Sequence, residues 1–347
     1  MKGRVVLLDH HDGREAAALM VDGRLEDLAL DPREEGLQPG AICRGVADRP
    51  MKGQGGMFLR LPGGEKGFLR QTGGIAPGQR LLVQVSGPAP EPGKALPVTT
   101  RLLFKSRFAI LTPEAPGLNI SRRIRDEEAR AALEALAAAG MKGAAGDLGL
   151  ILRSACADAE EAEVAEDLAR TRALAEAVLA DLTGEPELLV DAPSAHDLAW
   201  RDWLDPAPDE VLDADGSFAD LGADEALDAL LSPAVPLDGG GSMWIEATRA
   251  LVAVDVNTGN DTSPAAALKA NVAAARDLPR QLRLRGLGGQ IVVDFAPMPK
   301  RDRHILDQVM KAAFKAEGEA NLAGWTTLGL YELTRRRDRP ALASVWP

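Results

Sequence analysis

The sequence is poor in the residues that build several common kinds of site. Only two of its 347 residues are cysteine, Cys43 and Cys156, and neither belongs to a C-x-x-C pair. A cysteine zinc site and a disulfide framework are thereby excluded. Aromatic residues make up 4% and include a single tyrosine, which argues against a protein that binds mainly by aromatic stacking. No apolar run approaches the ~18 residues of a membrane-spanning helix. The opening MKGRVVLLDHHDGRE returns to charge after the short run VVLL, too few apolar residues for the core of a signal peptide. These absences predict a soluble, cytoplasmic protein. Basic charge is also short, with 40 Lys and Arg against 52 Asp and Glu and a formal net charge of −12.

Hydrophobic residues reach 46%, enough for real cores, so an intrinsically disordered chain is excluded. The length allows two or three domains of about 100–200 residues. The charge is unevenly placed. Residues 155–240 hold 3 basic and 23 acidic side chains, net −20, whereas 1–154 and 241–347 are each net +4. The acidic block reads as a solvated helical face plus loops. The mildly basic flanks keep a nucleic-acid footprint open.

Along the chain, RVVLL (4–8) and ALMV (18–21) read as strands around the HHDG turn. Residues 36–100 are rich in Gly and Pro with short β-like runs, a pattern that suggests a small barrel or sandwich. A strand pair is expected over 101–112. The run 126–140 predicts a helix capped by Asp126 and stopped at Gly140. LGLILRSAC (148–156) reads as a buried strand, 158–183 as a long Ala/Glu helix, and 186–240 as a strand, a helix near 194–200 and then loops. Strands follow at 242–247, 249–255 and 289–295, helices at 264–285 and 302–317, and the stretch TTLGLYEL (326–333) runs into a basic cluster.

The last third carries the sharpest chemical signal. The apolar runs LVAVD and IVVD stop on Asp255 and Asp294, with a helix between them. A right-handed strand–helix–strand unit makes such strands parallel and brings their carboxyl ends to one sheet edge. Two converging carboxylates suit Mg²⁺, which could activate water and neutralise charge on a phosphodiester. The competing reading is two aspartates capping loops at strand ends. Asn257, two residues after Asp255, offers an amide to orient a carboxylate or a phosphate. Arg280, Arg283 and Arg285 lie near the end of the intervening helix. There they either answer the helix dipole or contact phosphates.

The run SMWIEATRALVAVDVNTG, the asparagine of KANVAAARDLPRQLRLRGLGG and the strand QIVVDF together resemble the catalytic core of the ribonuclease E/G family. GLNISRRIRDEE, LILRSA, MFLRL, KGFLR and GLYELTRRR resemble further family segments in the same order. The likeness covers nearly the whole chain, loosely at the N-terminus and tightly after residue 239. It implies an Mg²⁺-dependent endoribonuclease that cuts single-stranded RNA by metal-activated water, leaves a 5′-phosphate and serves RNA processing or decay. The alternative is an RNA-binding protein of the same descent with little or no cleavage. By the same likeness Asp255 and Asp294 are the metal-binding aspartates and Asn257 the catalytic-site asparagine. Arg153 and Ser154 fall on the pair that senses a 5′-monophosphate. Phe58 and Phe68 fall on base-stacking aromatics, although a small barrel also needs buried Phe.

The implied fold is α+β and multidomain. Residues 1–35 with 186–238 would form a degenerate RNase H-like subdomain, and 36–100 an inserted OB-fold RNA-binding domain. Residues 101–185 would form a 5′-sensor-like region and 239–347 a DNase I-like α/β catalytic domain. The sequence departs from the family where a zinc-linker would follow the basic cluster, so no zinc and no zinc-mediated dimer are expected. The third residue of the phosphate sensor, an arginine in the family, falls near Glu319 or Asn321.

Overall fold

The computed structural model describes residues 2–346 apart from 52, 54, 71, 72, 92, 316, 318 and 319. The chain divides into two compact units. One comprises residues 3–17 and 29–213, the other residues 1–2, 18–28 and 214–347.

The first unit contains a closed five-stranded barrel of OB-like form. Its strands are Ile42–Pro50, Met57–Arg60, Lys66–Leu69, Leu96–Thr99 and Arg80–Val85, and the last pairs back onto the first from Ile42↔Gln84 to Val46↔Arg80. Strand alternation sorts the side chains. Met57, Leu59 and Leu69 are buried, while Phe58 and Phe68 sit on the other face and are only half-buried. Gly67 is buried where a Cβ would crowd the Leu61 side chain at 3.1 Å.

A second sheet in this unit orders Leu118–Ile120, Gly149–Leu152, Ala109–Thr112 and Phe104–Lys105. The helices Glu127–Gly140 and Glu161–Ala180 pack on it through Leu133, Leu136, Val164 and Leu168. Strand Arg4–His11 pairs in parallel with Glu210–Leu212.

The second unit is built on a six-stranded sheet. Its order is Ala234–Pro236, Ser242–Ala247, Val252–Asn257, Gly289–Asp294, Tyr331–Arg335 and Ala320–Trp325. The helix Pro264–Leu284 connects the parallel central strands, and Arg303–Ala313 packs beside it. Val252, Val254, Val256, Ile291 and Val293 meet Ala274, Leu278, Leu282 and Leu306 in one core. The alternate residues of these strands face solvent.

Several sequence expectations shift. The 126–140 helix does end at Gly140 as expected, with Met141 as the C-cap residue. Its lack of a side chain also serves helix packing, because a Cβ on Gly140 would lie 2.4 Å from Leu168 Cδ2. Asp126 makes no side-chain cap bond. The stretch 326–333 holds a turn and the start of the strand Tyr331–Arg335. Thr326 and Leu330 close a turn between two strands, with Gly329 at φ +93°. The 302–317 helix stops at Ala313. The acidic stretch after residue 203 holds a strand and the helices Ser217–Asp220 and Ala223–Leu231, which start after left-handed Gly216 and Gly222. Their many Asp and Gly residues hid them. Among the described residues no helix is long and apolar enough to cross a membrane.

Candidate active site

The site forms on the solvent face of the second unit's sheet. In Val252–Asn257 the valines point into the core and Ala253, Asp255 and Asn257 point out. In Gly289–Asp294 the same alternation turns Asp294 out. The parallel register pairs Asp255 directly with Asp294. Neighbouring strands run about 4.8 Å apart, so the two carboxylates leave one face within reach of a common cation at ~2.1 Å per bond. Asn257 Nδ2 donates to Asp255 Oδ2 at 2.6 Å and fixes that carboxylate's rotamer.

The surroundings explain the local sequence. Gly241, at φ +90°, lies so close to the Asn257 carbonyl that a Cβ would be 2.3 Å from its oxygen. Gly241 is therefore what lets the preceding loop hug the strand end. Ser263 caps the connecting helix by accepting from Ala266 N at 3.2 Å. Asn271, fully buried in that helix, donates to the Ala296 carbonyl and accepts from the Ala296 amide, both at 2.9 Å. It pins the segment that leaves Asp294. A cleft of about 620 Å³ beside Asn257 is lined by Gly239–Gly241, Thr258–Asp261, Ser263 and Lys269, among others.

The donor set fits a hard divalent ion. Mg²⁺ takes one or two carboxylates and keeps several waters, and this face offers two carboxylates and an amide. Among the described residues no group of three or more His, Cys, Asp or Glu side chains converges, so an ion here would have only the aspartate pair and water to hold it.

The other candidate residues lie in other settings. Arg153 donates to the Ser106 and Arg201 carbonyls at 2.7 and 3.0 Å and to Asp202 Oδ1 at 2.7 Å. Ser154 Oγ donates to Asp205 Oδ2 and accepts from Arg123 Nη1 at 3.1 Å. Burial works to raise the Asp202 carboxyl, but Arg201 and Arg153 outweigh it and hold it below its ordinary value. Phe58 and Phe68 face each other across paired strands with centroids 5.4 Å apart, and Arg49 lies over the Phe58 ring at 5.7 Å.

The three arginines near the helix end are bound internally. Arg280 pairs with Asp277 at 2.8 Å and donates to the Leu25 carbonyl. Arg283 pairs with Glu26 at 2.7 Å and with Glu317. Arg285 is buried, bonds Gln281 and the Ser232 carbonyl, and is pushed down to about 10 by burial. Of the positions read for the third sensor residue, Glu319 lies outside the described residues and Asn321 is exposed on an outer strand, opposite Thr334.

A model of the ribonuclease E/G family matches residues 104–218 and 210–338. The chain belongs to the ribonuclease E/G family. Ribonuclease E of a Nostoc species is 30% identical over 97% of this chain and 56% of its own length. Ribonuclease G of Escherichia coli is 29% identical over 78% of this chain and 62% of its own length. A chloroplastic ribonuclease E/G-like protein of Arabidopsis thaliana is 36% identical over 45% of this chain and 17% of its own length. The chain thus spans 56–62% of the full-length ribonucleases E and G compared with it.

For this member of the ribonuclease E/G family, residue-type reading missed the rest of the outward face. Trp244 is paired with Asp255, Glu246 with Ala253 and Glu332 with Val292, and all three are exposed. The period-two alternation of each strand was the available signal; the registers that join them were not.

Proposed function

We propose that this chain is an Mg²⁺-dependent endoribonuclease that cleaves single-stranded RNA and leaves a 5′-phosphate, in RNA processing or decay. The observation that carries the reading is the in-register pair Asp255 and Asp294 on one exposed face, with Asn257 bonded to the first. In this reading Asp255 and Asp294 hold the ion and Asn257 keeps the Asp255 carboxylate aimed at it. When bound, Mg²⁺ makes water a stronger nucleophile and offsets charge on the scissile phosphate. Buried Asn271 keeps the Asp294 strand end in place. Phe58 and Phe68 serve as a stacking surface for bases, worth ~1–3 kcal/mol per base in comparable sites. Arg153 and Ser154 remain candidates for the 5′ end, with Asp202 and Asp205 competing for the same donors. We further assign the N-terminal strands and the segment 186–238 to an RNase H-like subdomain and residues 239–347 to a DNase I-like catalytic domain.

The test is cleavage of a 5′-monophosphorylated single-stranded RNA in Mg²⁺ and in EDTA. Cleavage should need the ion, and its product should carry a 5′-phosphate. Asp255→Asn should lose at least a hundredfold in kcat/KM while keeping its melting temperature within a few degrees, because the side chain is exposed. Full cleavage by Asp255→Asn, or in EDTA, sinks the proposal.

A further inference from the structure

The outward face of the second unit's sheet carries one large apolar side chain where its neighbours are small or polar. Trp244 lies on Ser242–Ala247 and is 42% exposed. Its lateral partners are Ala234 on one side and Asp255 on the other. Along its own strand, Ser242 and Glu246 share its face. None of these four is large and apolar, and the indole stays partly exposed among them. A tryptophan brings ~150–250 Å² of surface that would normally be buried. Here a large part of that surface is left exposed beside the aspartate pair, although Met243 and Ile245 on the same strand are packed into the core.

The register fixes how near it is. Residues directly opposite in an antiparallel pair keep their Cβ atoms ~4.5–5.5 Å apart. The indole therefore starts one strand from Asp255 and two strands from Asp294. That separation is comparable to the step from a phosphate to the base of an adjoining nucleotide. The face is otherwise hostile to RNA. Glu246, Asp255, Asp294 and Glu332 are all exposed on it, and their charge repels phosphates. A base-stacking platform gives grip that does not depend on opposite charge and is available to any π-face.

We propose that Trp244 stacks a base of a nucleotide flanking the scissile phosphate and so positions that phosphate over Asp255 and Asp294. This rests on the endoribonuclease reading of the aspartate pair. Trp244 is a binding and positioning residue and takes no part in bond making. Because stacking is tolerant of base identity, it contributes position along the strand more than sequence choice. Purines, with the larger ring, should be held better than pyrimidines.

The experiment uses the full chain with Trp244→Ala and Trp244→Phe, each alone and combined with Asp294→Asn. Binding of a labelled single-stranded RNA is read by fluorescence anisotropy in Mg²⁺ in the Asp294→Asn background, where substrate survives. Trp244→Ala should weaken binding by ~5- to 150-fold, the equivalent of one stacked base. Trp244→Phe should recover most of that loss. In the chain with Asp294 intact, Trp244→Ala should raise KM more than it lowers kcat. Replacing nucleotides of the RNA one at a time by abasic units should reveal one position beside the cut that reproduces the loss, and that has no further effect once Trp244 is Ala. Unchanged binding and KM in Trp244→Ala, or an abasic scan identical with and without the indole, overturns the inference. If the protein with Asp294 intact fails to cleave RNA at all, the endoribonuclease reading fails. The binding arm still decides whether Trp244 stacks a base.

Discussion

Replacing Arg283 separates two roles for the helix-end arginines. Its guanidinium pairs with Glu26 at 2.7 Å, approaches Asp27 at 3.6 Å, and bonds Glu317. The Arg283 side chain is 18% exposed and that of Glu317 only 9%. Arg283→Met keeps the apolar stem but leaves the Glu317 carboxylate short of a partner. Breaking a buried pair on one side costs ~3–5 kcal/mol. Glu317 keeps Arg335 at 3.5 Å, which places the expected cost near the lower end, about 3 kcal/mol. With a urea m-value of ~3 kcal/mol per molar, the unfolding midpoint should fall by about 1 M. RNA affinity followed against salt should keep its slope, because a guanidinium committed to three carboxylates releases no phosphate counterion. The reasoning is refuted if the midpoint is unchanged and the slope flattens by ~0.7, the value of one single-strand phosphate contact.

Two further outcomes follow from named carboxylates. Asp205 occupies Ser154 Oγ and Arg123, so 5′-monophosphorylated and 5′-hydroxyl RNAs should be cut at nearly equal kcat/KM. Asp205→Ala should then raise the ratio by about tenfold or more, one charge-assisted bond's worth; a strong preference already present in the parent protein would show that these carboxylates do not guard the donors. Burial alone would raise the Asp27 carboxyl, but Arg339 and Arg283 outweigh it and hold it below its ordinary value. A carboxyl lowered on folding contributes stability above its unfolded pKa of ~3.9, and that contribution is lost as pH falls through the folded value. The melting-temperature gap between the parent protein and Asp27→Asn should accordingly be full at neutral pH and narrow below about pH 4; a gap independent of pH from 7 to 3 would remove this ion pair from the account.

The aspartate pair was legible because each residue terminates an apolar strand, and a strand–helix–strand unit has one dominant handedness. Short Gly-punctuated strands made the barrel legible in the same way. What stayed hidden depends on register and on partners distant in sequence. The sequence alternation places Trp244 on an outward face, but only the pairing with Asp255 makes it a neighbour of the site. Arg283 meets Glu26 across 257 residues and Arg153 meets Asp202 across 49. An arginine awaiting phosphate and one already holding a carboxylate have the same pattern in sequence. The helices Ser217–Asp220 and Ala223–Leu231 were lost for a different reason, since Asp- and Gly-rich stretches favour turns locally and the burial of Phe218 and Leu227 overrides that preference.

The same partner problem undoes segment charge as a guide to RNA. Residues 1–154 are net +4 as a sum, yet Arg44 is bound by Asp181 and Glu187, Arg153 by Asp202, and Arg123 by Asp205. All four carboxylates come from the −20 block, so part of that block neutralises the chain's own cations rather than forming a free polyanionic surface. The helix Glu161–Ala180 accounts for more of it, with Glu161, Glu163 and Glu166 exposed while Val164 and Leu168 are buried. The cations near the aspartates are therefore better sought among exposed side chains on the segment leaving Asp294. Lys300 and Arg301 stand there, Arg301 with 86% of its side chain exposed. Arg303 is spent on the Trp325 ring, 4.4 Å from its centroid. The Asp255–Asp294 face carries four exposed carboxylates, so under the proposed function grip on RNA at that face falls to a bound divalent ion and to the stacking proposed for Trp244.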